Sequence, residues 1–435
     1  MREQEEKQQL GFWMTTALVV GGMIGAGIFM LPVSLAPFGA NAVIGWIVSG
    51  IGALALAYSM GRLARGGGQG IQAHIERAFG PDIAFLSTFA FWVSVWAANA
   101  AVAIAAAAAT ARIVPALGGD TATLLTAIGY MLFLTMTNAL GSLATGRMAI
   151  LTTLIKIMPL LAVLFVIGQV SSSGAELAQL APRPISFDNI AAASALTLFA
   201  LLGFETALAP VDKIRNPERN ILLAMVGGTV FVAIIYLLSS TAILWLLPAE
   251  TIASSKAPFA DAIGRGWGEW GALFAAFGMA VSGFGYINGG IMVAGELGYS
   301  MAVRGELPQV MARTRHVNTP VYSQLIGSAL AIFLIAANMS KGTAGLFTFA
   351  ALLTTSATLW LYLASALASL KQKPGPLALV ATIAGLAFIA FAFYGSGWEA
   401  NLWSVALLIT GFGIKRLTGS RPTPRQEAAP VAPQE

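Results

Sequence analysis

The feature that most limits what this chain can fold into is a series of long apolar stretches. A helix needs about 20 mostly apolar residues to cross the roughly 30 Å hydrocarbon core of a bilayer. Twelve stretches approach or exceed that length, at 11–36, 40–61, 82–111, 121–140, 147–169, 188–211, 222–247, 268–302, 322–338, 343–368, 376–394 and 400–416. With 57% hydrophobic and only 10% charged residues, the chain has too little charge to cover a soluble surface. Lipid offers no partner to open backbone groups, so the stretches are predicted to be helices. The short alternating segments of a transmembrane β-barrel are absent from the sequence. The expected fold class is an all-α membrane protein with twelve transmembrane helices.

The charges fix an orientation. Counting twelve crossings from a cytoplasmic N-terminus, eighteen of the 24 Lys and Arg residues fall on the cytoplasmic side. Five lie opposite, namely Arg112, Arg183, Lys256, Arg265 and Lys341, and Lys156 lies inside a stretch. That bias is the positive-inside pattern for cytoplasmic N- and C-termini. The basic excess is thus a topology signal and not a stripe for nucleic acid. The opening MREQEEKQQL, with three glutamates, lacks the basic start of a secretory signal. Residues 1–10 are expected to form a cytoplasmic segment, 11–416 one membrane domain, and the Pro-rich 417–435 a disordered cytoplasmic tail. The chain has no cysteine, and its two histidines, His74 and His316, fall in predicted loops. Neither a metal site nor a cofactor is expected.

Two stretches are built to break. The first contains GGMIGAGIF, Gly21 to Phe29, closed by Pro32. Each glycine weakens a helix by about 1 kcal/mol relative to Ala. Unwound backbone at membrane depth is tolerated where it lines a cavity. Amides freed at the start of the second half-helix present a positive dipole end that suits a carboxylate. Close packing of small residues is the competing explanation. The sixth stretch holds FALLGFETALAP, Phe199 to Pro210, with Gly203 and an intramembrane Glu205. A buried acid costs about 2.5–3.5 kcal/mol on insertion scales and must face a cavity or a partner. That partner can equally be the freed backbone of its own broken helix.

The weak points Gly22–Gly27 and Leu202–Gly203 are five stretches apart. An odd number of helices per unit inverts the second copy, and paired interruptions in such repeats point to a central binding site. Repeat one is expected over about 11–169 and repeat two over about 188–368, with 376–416 as two added helices. Lys156 lies some nine residues into the fifth stretch, roughly 13 Å along a helix. There it can carry a proton, stand as a resident cation against a broken helix, or snorkel to the interface. Glu296 is expected near the cytoplasmic edge of the eighth stretch, paired with an arginine. The amides Asn99 and Asn288 serve either ligand contact or interhelical hydrogen bonding.

In GGMIGAGIFMLP (21–32), FALLGFETA followed by DKIRNPERNI, and GYSMAVRGELP (298–308), the chain resembles the amino acid–polyamine–organocation superfamily. Within it the similarity is to the bacterial arginine/agmatine antiporter group of basic amino acid/polyamine antiporters and its amino-acid exchanger relatives. The resemblance covers nearly the whole chain. It implies a LeuT-type five-plus-five inverted repeat with helices 1 and 6 discontinuous, located in the bacterial inner membrane. It implies a substrate carboxylate near Met23, Gly25, Ala26 and Gly27, and an amino group near Phe199, Ala200 and Leu202. Phe199 stands where the group has a gating tryptophan, Glu205 where it has a gating glutamate, and Asn99 where an asparagine contacts substrate. Lys156 matches a lysine that sodium-independent members use in place of sodium. Gly22 replaces an asparagine of the antiporter, and Gly290 stands near a substrate-contacting tryptophan. These departures leave a neutral amino acid and arginine or agmatine both open.

The expected function is secondary-active transport of L-amino acids or their amine products, by exchange or proton coupling, without sodium. The expected partners are a small amino acid or amine and membrane lipid, with no nucleic acid and a homodimer as a candidate assembly. An enzyme is not expected, because Lys156, Glu205 and Glu296 on separate stretches are too few for a catalytic cluster. A transporter-like sensor or channel is the alternative from another class. It would show an output domain or substrate-independent ion currents.

Overall fold

A computed structural model describes residues 11–63, 71–139, 145–208, 214–314 and 319–418, with the side chains of 145–154 excepted. The expectations for 1–10, Pro210 and His316, and for the tail beyond Thr418, lie outside the described residues. Helix α1 (Phe12–Met23) is followed by α2 (Gly27–Leu35) and α3 (Ala40–Leu63). Then come α4 (Ile71–Phe79), α5 (Pro81–Ile113), α6 (Asp120–Ala139) and α7 (Thr145–Ser172). The next run is α8 (Phe187–Leu201), α9 (Pro217–Leu246), α10 (Ala249–Ser254) and α11 (Pro258–Val303). The last three are α12 (Val321–Ala337), α13 (Gly342–Lys371) and α14 (Pro376–Thr418).

Among the described residues eight helices are long and apolar enough to cross a membrane, or nine with α1 and α2 counted as one bent span. The shorter apolar helices α8 and α12 match two further expected stretches. Helix α14 holds the last two, and Gly397 between them has non-helical backbone (φ 77°, ψ 166°). A similar break at Gly268 (φ 70°) divides α11 where the eighth stretch was expected to begin.

The core is organised around α5, which is buried along most of its length and packs against α11 and α13. Its run of alanines from Ala97 to Ala111 explains this, since small side chains let neighbouring backbones approach closely. Hydroxyl and amide pairs tie the helices together at depth. Thr197 bonds Ser49 at 2.8 Å, Thr135 bonds Ser328 at 2.7 Å, and Asn138 donates to Asn288 at 2.6 Å. Asn288 is therefore an interhelical amide. Ion pairs sit at helix ends, where Arg112 meets Asp261 and Glu269, and Lys415 meets Asp82.

One local expectation is corrected, and a second is met by no partner among the described residues. His74 lies on α4 and not in a loop; it is 2% exposed, with Gln372 at 3.2 Å. Helix α4 is amphipathic and buries His74 and Ile75, so a search for long apolar runs passes over it. Glu296 is exposed on α11, and no ion pair reaches it among the described residues.

Candidate functional site

Helix α1 stops at Met23, where Ile24 turns extended (ψ 99°), and α2 restarts at Gly27 with its axis bent by 45°. Helix α8 stops at Leu201; Leu202 is extended (ψ 152°) and Gly203 takes φ 112° before a short 3-10 turn at Phe204–Leu208. Side chains rarely adopt that φ. A Cβ on Gly203 would also lie 2.5 Å from the Gly22 carbonyl oxygen. The two breaks thus touch backbone to backbone, glycine against glycine.

The end of each half-helix leaves backbone groups to be satisfied. At the end of α1, the Gly21 carbonyl accepts a long 3.5 Å bond from Lys156 Nζ, and the Met23 carbonyl accepts from the Tyr236 hydroxyl at 3.2 Å. Lys156 is 4% exposed, and its ammonium sits at the negative end of the α1 dipole. At the second break, Glu205 Oε2 accepts from the Gly203 amide at 3.1 Å and from the Tyr362 hydroxyl at 2.8 Å. Of the two explanations for this acid, the geometry displays the bond to its own freed backbone.

Other backbone groups stay open. The N–H groups of Gly25, Ala26, Gly27 and Ile28 meet no acceptor among the described residues, and no side chain caps α2. The carbonyls of Ala200 and Leu201 meet no donor among those residues. Of these groups, the amides of Gly25, Gly27 and Ile28 and the carbonyl of Ala200 belong to residues that line a small cavity where the breaks converge. Met23, Gly25, Gly27 and Ile28 line it from the first break, and Phe199, Ala200 and Leu202 from the second. Val102 of α5 and Tyr286 of α11 close it.

The cavity measures about 20 Å³, room for a water and no more. Phe199 accounts for this: its ring packs where a Cβ on Gly27 would come within 2.6 Å, and it meets Phe347 edge-on at 6.0 Å. A larger hollow of about 390 Å³ lies between α2, α8, α10 and α13. Its hydroxyl side chains, Ser34 and Thr348, are bonded to each other at 2.7 Å, so the open polar groups belong to the smaller cavity.

Of the residues expected at the site, Met23, Gly25, Gly27, Phe199, Ala200 and Leu202 line this cavity, and Lys156 and Glu205 hold its two breaks. Ala26 contributes an open amide without lining the cavity. Asn99 is buried outside the lining, its Oδ1 unpartnered among the described residues and packed against Gly290. Sequence reasoning missed Tyr286, Tyr236, Tyr362 and Val102. For the tyrosines the only signal was a hydroxyl in an apolar run, which calls for a partner when buried.

A sequence profile of the amino acid permease family matches residues 10–416. The putrescine transporter PotE of Escherichia coli (strain K12) is 28% identical over 434 residues, covering 96% of this chain and 98% of that protein. Its namesake from Haemophilus influenzae is 27% identical over 423 residues, with 94% and 97% covered. A cadaverine/lysine antiporter of Escherichia coli (strain K12) is 28% identical over 352 residues, with 78% and 77% covered. With a family match that spans nearly the whole chain and both helix breaks, this protein belongs to the amino acid permease family of the amino acid–polyamine–organocation superfamily.

Proposed function

We propose that this chain is a secondary-active carrier that moves an amino acid or amine across a bacterial inner membrane by alternating access. The observation that supports it best is the meeting of two helix breaks at one cavity, with open amides on one side and open carbonyls on the other. A carboxylate suits the amides at the start of α2, and an ammonium suits the carbonyls at the end of α8. The relatives' names, putrescine transporter and cadaverine/lysine antiporter, agree with this class of cargo.

The finer reading has twelve crossings as two inverted five-helix repeats plus the two halves of α14, with both termini cytoplasmic. Met23, Gly25, Ala26, Gly27, Asn99, Phe199, Ala200 and Leu202 serve the substrate, with Asn99 reaching it only after a movement of α11. Phe199 gates, while Lys156 and Glu205 couple the breaks to transport, which proceeds by exchange or with protons and without sodium. An arginine/agmatine-type antiporter is the narrower alternative. Purified protein in proteoliposomes tests the carrier reading by counterflow of labelled amino acids and amines, with and without a proton gradient. Uptake that depends on internal substrate, and that drops below about a tenth in Gly27→Val, supports it. Ion currents without any counter-substrate would replace the carrier with a channel.

A further inference from the structure

We infer that the cavity selects a small amino acid with an uncharged side chain and rejects diamines and basic amino acids. This rests on the carrier reading and narrows its cargo. The cavity offers one set of open amides and one set of open carbonyls, enough for one carboxylate and one ammonium. A zwitterionic head group uses both sets. A diamine leaves the amides facing no anion and brings a second ammonium that needs its own acceptor.

No such acceptor lines the cavity among the described residues. Its side chains are those of Met23, Ile28, Val102, Phe199, Leu202 and Tyr286, together with small residues, and none is acidic. Of the two carboxylates at depth, Glu205 is buried in bonds to the Gly203 amide and the Tyr362 hydroxyl. The other, Glu296, is exposed on α11 and outside the lining. The charged side chain that stands beside the first break is a base, Lys156, which donates to the Gly21 carbonyl. A second ammonium in this low-dielectric hollow would find no carboxylate in the lining and Lys156 beside the first break, whereas an apolar side chain meets apolar walls.

Tyr286 joins Phe199 in setting the size limit. Its ring presses on the first break so closely that a Cβ on Gly25 would lie 2.7 Å from Cδ2. Its hydroxyl has no hydrogen-bond partner among the described residues. The ring is a wall of the cavity at the first break.

The full chain in proteoliposomes, loaded with each unlabelled compound in turn, is assayed for counterflow of labelled alanine, leucine, methionine, arginine, putrescine and cadaverine. The expected result is exchange of a neutral amino acid, with putrescine, cadaverine and arginine each below about a tenth of that rate. Tyr286→Ala should raise the leucine-to-alanine ratio about tenfold, while Tyr286→Phe keeps it. Putrescine or arginine exchanged as fast as the best neutral amino acid would overturn the inference and leave the carrier standing. Counterflow of none of the six by protein that elutes as a single species would instead remove the carrier reading, and this inference with it. An unchanged ratio in a folded Tyr286→Ala protein would remove Tyr286 as the limiting wall.

Discussion

At the first break the carbonyls of Gly21 and Met23 are held by side chains from α7 and α9, whereas at the second the freed Gly203 amide is held by Glu205, two residues along the same chain. The first break is fastened from outside, by Lys156 and Tyr236; the second fastens itself, and Tyr362 of α13 steadies the carboxylate that does so. The contrast has a mechanical consequence. Moving α1 must stretch bonds to α7 and α9, so its angle reports on the positions of those helices. Moving the turn after α8 carries its own cap with it. On the proposed carrier reading, the outer fastenings are where substrate occupancy would be coupled to helix movement, and the inner one is where the shape of the cavity is kept.

The largest effect is expected where the breaks touch. Gly203→Val adds a branched Cβ at φ 112° and drives it into the Gly22 carbonyl, costing about 3 kcal/mol or more in strain and overlap. Transport should be lost and the thermal midpoint of detergent-solubilised protein should drop clearly. A Gly203→Val protein that melts and transports like the parent would mean that the two breaks are not in contact.

Next comes the self-fastened cap. Glu205→Leu leaves the Gly203 amide and the Tyr362 hydroxyl buried without an acceptor, a cost of about 1–3 kcal/mol for each group. Tyr362→Phe removes one of the same bonds, so adding it to Glu205→Leu should cost less than the sum of the two single changes. Melting of the two single variants and the double variant measures this. Strict additivity would show that the carboxylate and the phenol act separately.

How far the site was readable from sequence divides along the same line. The breaks could be read because their causes are local: four glycines in seven residues from Gly21 to Gly27, and a glycine beside an acid at Gly203 and Glu205. Lys156 stood out as a charge in an apolar run. The tyrosines did not, because each acts across a long sequence separation: Tyr236 on Met23, Tyr362 on Glu205, and Tyr286 against Gly25. In a span of leucines and alanines a tyrosine looks like packing, and only the folded chain shows which break it faces. Fold class was readable for the reason the breaks were, since an apolar stretch declares itself. Helix α4 was missed because its amphipathic pattern lacks such a stretch.

Lys156→Met sharpens the comparison further. It keeps the bulk of the side chain and removes the ammonium, whose 3.5 Å bond to Gly21 is long and contributes about 1 kcal/mol or less. If the outer fastening serves movement, transport should fall by far more than stability does, below about a tenth of the parent with a small shift in melting. A variant that loses stability and transport in proportion would make Lys156 a structural prop only.

The smallest effect is expected from Tyr236→Phe, which deletes one hydroxyl and leaves the ring packed on Trp46 at 5.8 Å. The Met23 carbonyl then loses its donor at a point that lines the cavity, where water can replace it, so the stability cost should stay near 1 kcal/mol or below. Because Met23 is also the last residue of α1, the loosened end should move more freely. That predicts a modest change in exchange rate, about two- to threefold, with little change in apparent substrate affinity. Counterflow across a range of substrate concentrations separates the two. A large rise in half-saturating concentration at unchanged maximal rate would place Tyr236 on the substrate itself instead of on the helix end that frames it.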